Sequence, residues 1–235
     1  MHMKLRKGGT VFYCFSPPVM LVTFIIEFAL AGYAIWRYKL NALTRLAVLI
    51  LLCLGIFQLS EYMLCGGMGW TGFEWTRFGY ISITLLPPLG LHMATVLAGK
   101  RLPWLVAFGY LTAAAFITVF VFMTGSLNGT ECMPNYTVFH LKDALVKFYV
   151  LYYYGWLLVV SGLAVYWARD SRNSRQLRAL AVGYMSFVVP TTLVNIVNPS
   201  TISGIPSIMC GFAVSLAIII IGWVLPGAAI RTKRK

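Results

Sequence analysis

Seven apolar runs, each long enough to cross a bilayer, occupy most of this chain and leave nothing between them large enough to fold alone. They fall at roughly 17–36, 45–64, 78–98, 104–123, 148–168, 178–197 and 206–225. Each is close to the ~20 residues that a helix needs to span about 30 Å of hydrocarbon. Lipid offers the backbone no hydrogen-bond partners, so runs this continuous are helices. Residues 1–235 therefore read as one integral membrane domain, all-α, a polytopic bundle of seven transmembrane helices. Charged residues make up only 11% of the chain, against about 25% in soluble domains. The first run contains Glu27 and ends in Trp36-Arg37-Tyr38-Lys39, the pattern of a spanning helix and not of a short signal-peptide core.

Lysine and arginine set the expected orientation, because cytoplasmic connections retain positive charge during insertion. The C-terminal side carries thirteen such residues: Arg37, Lys39 and Arg45, Lys100 and Arg101, Arg169, Arg172, Arg175 and Arg178, and four between Arg231 and Lys235. The other side carries six, three of them in the N-terminal group Lys4, Arg6 and Lys7. This predicts an N-terminus outside, a cytoplasmic C-terminus and residence in a plasma (inner) membrane. The net charge of +13 lies beside helix ends and not on a folded basic face. It points to anionic membrane lipids as partners, at about 1 kcal/mol per nearby cation, and away from nucleic acid.

On the expected outer side the longest connection runs from Thr124 to Lys147, the one loop long enough to form a lid. It contains two glycosylation sequons, Asn128-Gly129-Thr130 and Asn135-Tyr136-Thr137. Cys14, Cys65 and Cys132 fall on this side. Either free thiols or a Cys65–Cys132 bridge tying the loop to helix two fits that placement. The cluster Tyr149, Tyr152, Tyr153, Tyr154 and Trp156, with Trp70 and Trp75, reads as an interfacial aromatic belt.

Reactive chemistry is sparse. The three histidines have no His-x-x-x-His spacing, and the chain lacks Cys-x-x-Cys, a Gly-rich phosphate loop and a nucleophile elbow. No metal, cofactor or enzymatic activity is expected, and helix seven has no lysine for a retinal Schiff base. The informative residues are intramembrane polar ones, which cost a few kcal/mol in lipid unless they face protein or water. Gln58 and Glu61 form a stripe on helix two, and Asn195 lies at a similar depth on helix six. With Trp75 and Arg77 at the entry to helix three, they are expected to line one outward-facing pocket. Glu27 on helix one and His92 on helix three differ in depth by about four residues, roughly 6 Å, and are expected to form a deeper polar layer.

Further features point to a family. Glu61 sits at the outer end of helix two, Trp75-Thr76-Arg77-Phe78-Gly79-Tyr80 enters helix three, and Pro87-Pro88 lies within it. Gly99-Lys100-Arg101 then makes a tight basic turn before the aromatic start of helix four, and one long outer loop follows. Over roughly residues 20–225 this order resembles the seven-helix extracellular sensor module at the N-terminus of some bacterial histidine kinases and diguanylate cyclases. The resemblance implies a receptor-like sensor for an unidentified small-molecule ligand. In that family the last helix continues into a cytoplasmic transmitter, whereas this sequence ends about ten residues after helix seven. Output is therefore expected through a separate cytoplasmic signalling protein, with self-association left open. Two other classes fit the same residues: a small transporter using Glu27, His92 and Glu61 as a proton or substrate path, and a non-catalytic subunit of a larger membrane complex.

Overall fold

The computed structural model describes residues 17–66, 72–123, 127–132 and 137–228. The helices are α1 (Pro17–Arg37), α2 (Ala42–Gly66), α3 (Gly72–Ala98), α4 (Pro103–Phe122), α5 (Asp143–Trp167), α6 (Ser174–Val197) and α7 (Ile205–Ile219). A π turn, Ile220–Val224, carries α7 into the short α8 (Leu225–Ala228). Among the described residues, seven helical spans are long and apolar enough to cross a membrane. Helices α2, α3, α5 and α6 each begin before their apolar runs do. A hydropathy run ends where the hydrocarbon ends, whereas a helix continues into the polar interface because its backbone hydrogen bonds cost no less there.

Local chemistry explains the boundaries. The Asn41 side chain accepts a hydrogen bond from the Thr44 backbone N–H at 2.9 Å, capping α2. Gly99 adopts φ +64°, and the Gly99 and Lys100 amides donate to Val96 and Thr95 carbonyls at 3.2 and 3.0 Å. This is the double bond of a glycine helix stop, and Pro103 then starts α4 with φ already fixed. Asn173, in the α5–α6 connection, donates its amide to the Leu97 carbonyl at 2.8 Å. That pins the turn to the end of α3.

Helices α2 and α3 form the centre: α1 packs on α2, while α4 and α5 pack on α3. Helices α6 and α7 pair with each other, and α7 also reaches α1 and α2. Outer helices keep large apolar side chains exposed, such as Ile25 and Trp36 on α1 and Phe108 and Leu111 on α4, as lipid requires. The α1–α2 contact is close because Gly55 has no side chain. A Cβ there would overlap the Phe28 ring and lie 3.6 Å from Glu27 Cβ.

To this helical fold the structure adds one element that helical periodicity does not announce. In the long connection β1 (Leu127–Cys132) and β2 (Thr137–Leu141) pair antiparallel, with Thr130 opposite Phe139 and a register shift between Leu127 and Gly129. Thr137, Val138 and Phe139 are buried, whereas His140 is exposed. A disulfide joins Cys132 at the end of β1 to Cys65 in the last turn of α2. The first sequon falls in β1; Cys14, Trp70, Asn135 and the cations from Arg231 to Lys235 lie outside the described residues.

The Pro87-Pro88 pair inside α3 is absorbed by its neighbours. Proline at 88 has no N–H to give to the Thr84 carbonyl, and the Tyr152 hydroxyl from α5 donates to that carbonyl at 2.7 Å. The Thr84 hydroxyl donates to the Tyr80 carbonyl at 2.6 Å, so it accepts from Tyr149 at 3.0 Å. Tyr152 thus replaces the bond that Pro88 removed, and Tyr149 braces the Thr84 side chain beside it.

Candidate functional site

Two polar arrangements occupy the hairpin end of the bundle. The first lies between α1, α2 and α7. Glu27 and Glu61 are 0% and 1% exposed, and they interact electrostatically with each other. Side chains on a helix lean towards its N-terminus, and α1 and α2 run antiparallel, so Glu27 leans from the level of Gly55 towards that of Gln58. Gln58 is 2% exposed. Both Glu27 carboxylate oxygens, Glu61 Oε1 and Gln58 Nε2 have no hydrogen-bond partner. Glu61 is bonded on its other side to the Ser207 hydroxyl of α7. Ser207 in turn accepts the Thr137 backbone N–H of β2 at 3.0 Å. A buried carboxylate on α2 therefore holds the hairpin through one serine.

Several expected placements are corrected by this geometry. Glu61 and Gln58 face the interior and are not among the residues lining the cavity described below. Glu27 and His92 do not form one layer, because α2 lies between α1 and α3 and His92 turns towards α4. There His92 Nδ1 meets the Tyr110 hydroxyl at 3.4 Å with the two rings edge to face. Matching depth fixed the height of these residues but not the side of the helix they occupy. Trp75 packs against Phe78 at 6.4 Å, and neither Trp75 nor Arg77 reaches the cavity described next. Tyr149, Tyr152 and Tyr153 are buried and so do not belong to an interfacial belt. Among the described residues no cluster of three His, Cys, Asp or Glu side chains can hold a metal ion.

The second arrangement is a cavity of about 510 Å³ between α3, α5 and α7, roofed by β2. That size lies within the ~300–1,000 Å³ of small-molecule sites. Tyr80 and Ile83 of α3 form its floor, Tyr149, Tyr153 and Tyr154 one wall, and Ile205 and Met209 the other. It exists because α5 packs on α3 and α6 while α7 packs on α6, α1 and α2, leaving a wedge between α5 and α7. Phe139 of the hairpin fills the top, with its ring edge to face with Tyr80 at 5.3 Å and 5.9 Å from Phe57.

Asn195 joins this cavity indirectly. It accepts from the Thr201 hydroxyl at 2.6 Å, and with Thr192 it is hydrogen-bonded to Tyr154. Thr192 has already given its proton to the Val188 carbonyl, so Tyr154 donates to Thr192 and receives from the Asn195 amide. Asn195 thus orients a wall residue and does not itself line the cavity. Two of the lining tyrosines have a sequence signal: Tyr149 and Tyr153 lie four apart, on one face of α5. The seven apolar helices mark an integral membrane protein, and neither a family model nor a curated protein matches its sequence.

Proposed function

We propose that this chain is a receptor-like membrane sensor, with its N-terminus and hairpin outside, its C-terminus in the cytoplasm and its site in the plasma membrane. A small ligand occupies the cavity beneath the hairpin, and the signal leaves through a separate cytoplasmic protein. The observation that carries this reading is the shared wall. Tyr80 and Tyr149 line the cavity; the Tyr149 hydroxyl bonds the Thr84 hydroxyl, which lies one turn before Pro88 and itself bonds the Tyr80 backbone carbonyl. An occupant pressing on these rings shifts the one place in α3 where the helical ladder is already broken. On the opposite end Arg169, Arg172, Arg175 and Arg178 offer a docking surface for an acidic partner or anionic lipid. This reading agrees with the resemblance to the seven-helix sensor modules of histidine kinases and diguanylate cyclases.

The test has two parts. Reporter fusions after Lys142 and after Arg175 should label from outside and inside respectively; the reverse pattern ends the orientation. Native mass spectrometry of the protein released from mild detergent should show a small-molecule adduct that Val150→Trp, which fills the cavity, removes. Identical spectra from the two proteins would reject the site.

A small permease is the second reading, favoured by the buried carboxylates Glu27 and Glu61. His92 does not contribute to it, since it faces α4. Counterflow of labelled solute into proteoliposomes, abolished by Glu27→Gln, would select it over sensing.

A further inference from the structure

We propose that the occupant of the cavity is a single-chain amphiphile with an acidic headgroup, a long-chain carboxylic acid entering from the bilayer, held at its head by Lys147. This rests on the reading of the cavity as a ligand site and specifies its chemistry. The hydroxyls of two wall tyrosines are already engaged: Tyr149 on Thr84 and Tyr154 between Thr192 and Asn195. To a ligand those rings present carbon. With Ile83, Val150, Ile205 and Met209 they make a surface on which a hydrocarbon chain is the complementary group.

Charge is confined to one end. Lys147 and His140 line the cavity beside the hairpin, both are exposed, and no carboxylate lines it. Glu131 lies 3.9 Å from His140 across the strands, and among the described residues no carboxylate pairs with Lys147. Lys147 and Val150 are one helical turn apart and Tyr154 is one turn further, so α5 presents its polar-to-apolar gradient down a single face over about 10 Å. That gradient matches an amphiphile standing with its head at the hairpin. Ile202, a lining residue, is 50% exposed. The entrance therefore has an apolar lip, suited to a molecule arriving from lipid and not from water.

The experiment uses full-length protein in nanodiscs with three photoreactive probes of equal chain length, a diazirine-bearing palmitic acid and the matching alcohol and amine. The acid should crosslink to α5 around 146–154 and to 202–209, compete with unlabelled palmitic acid, and exceed the alcohol and amine. Lys147→Gln should weaken labelling by the acid about tenfold, the size of one lost charge-assisted hydrogen bond, without altering labelling by the alcohol, and Lys147→Arg should restore it. Equal labelling by acid and alcohol with no effect of Lys147→Gln overturns the acidic-head assignment but leaves the cavity as a ligand site. Labelling that persists in Val150→Trp and Ile205→Trp proteins with wild-type melting curves overturns the assignment and the site together.

Discussion

The cavity wall and the carboxylate layer stand side by side under the same hairpin, yet they treat polar atoms in opposite ways. Around the cavity the hydroxyls of Tyr149, Tyr152 and Tyr154 have partners, and that of Tyr152 repairs the backbone that Pro88 leaves open. Between α1 and α2, Glu27 and part of Gln58 and Glu61 are buried without partners. A satisfied buried polar group adds about 1 kcal/mol, while an unsatisfied one costs about 1–3. The wall is thus built for stability around an empty space, and the layer holds costly groups where no space exists. Removing side chains from the two regions should shift stability in opposite directions.

The largest loss should come from cutting the tether that roofs the cavity. Cys65 and Cys132 are 67 residues apart, and closing a loop of that size is worth about 4 kcal/mol in the chain-entropy model. Helices that persist in the denatured membrane state reduce the gain, so Cys132→Ser should lower stability by about 2–3 kcal/mol. Thermal melting in detergent with and without reductant measures it; an unchanged midpoint would show that the hairpin is held by other contacts. Ser207→Ala comes next, at about 2 kcal/mol, because it strands both the Thr137 amide and a Glu61 oxygen. Hydrogen exchange should rise at Thr137 and its neighbours on β2 and stay unchanged in α4.

Tyr152→Phe should cost about 1–2 kcal/mol, since it leaves the Thr84 carbonyl unpaired beside Pro88. Replacing Pro88 with Ala restores an N–H for the same carbonyl. In the Pro88→Ala background the tyrosine substitution should therefore lose about half its effect. Full additivity would mean that the hydroxyl does not act through that carbonyl.

How much of this was legible in the sequence differs between backbone and side chains. Apolar run length gave all seven spans, because lipid leaves a long apolar segment one solution, and Gly99 announced its turn through its own chemistry. Helix starts such as Gly72 and Asp143 were missed because they lie in polar interface, where hydropathy carries no signal. The hairpin was hidden because Asn128-Gly129 and Pro134 read as turns, whereas pairing depends on Cys65, Ser207 and Phe57 from distant parts of the chain. For the site, depth along each helix was readable from residue count. Azimuth was not: Glu61 turns to α7, His92 to α4 and Asn195 to Tyr154. Those directions depend on which helices are neighbours, which no single apolar run encodes.

The smallest effect separates the two regions most cleanly, because its sign is opposite. Glu27 has no partner for either oxygen and faces Glu61 across the α1–α2 contact. Leucine has a similar volume without the need for solvation, and replacing a buried ionisable group with a packed apolar one is often stabilising. Glu27→Leu should therefore raise the melting midpoint, by about 1 kcal/mol in stability, whereas Tyr152→Phe lowers it. In a Glu61→Gln background the gain should shrink, since Glu27 and Glu61 are electrostatically coupled. If Glu27→Leu destabilises instead, the carboxylate has a partner that the bundle acquires only in its membrane, and a cation or proton held between Glu27 and Glu61 would become the better account of why both persist there. A gain in stability accompanied by loss of signalling or transport would show that Glu27 is kept at a cost because it functions.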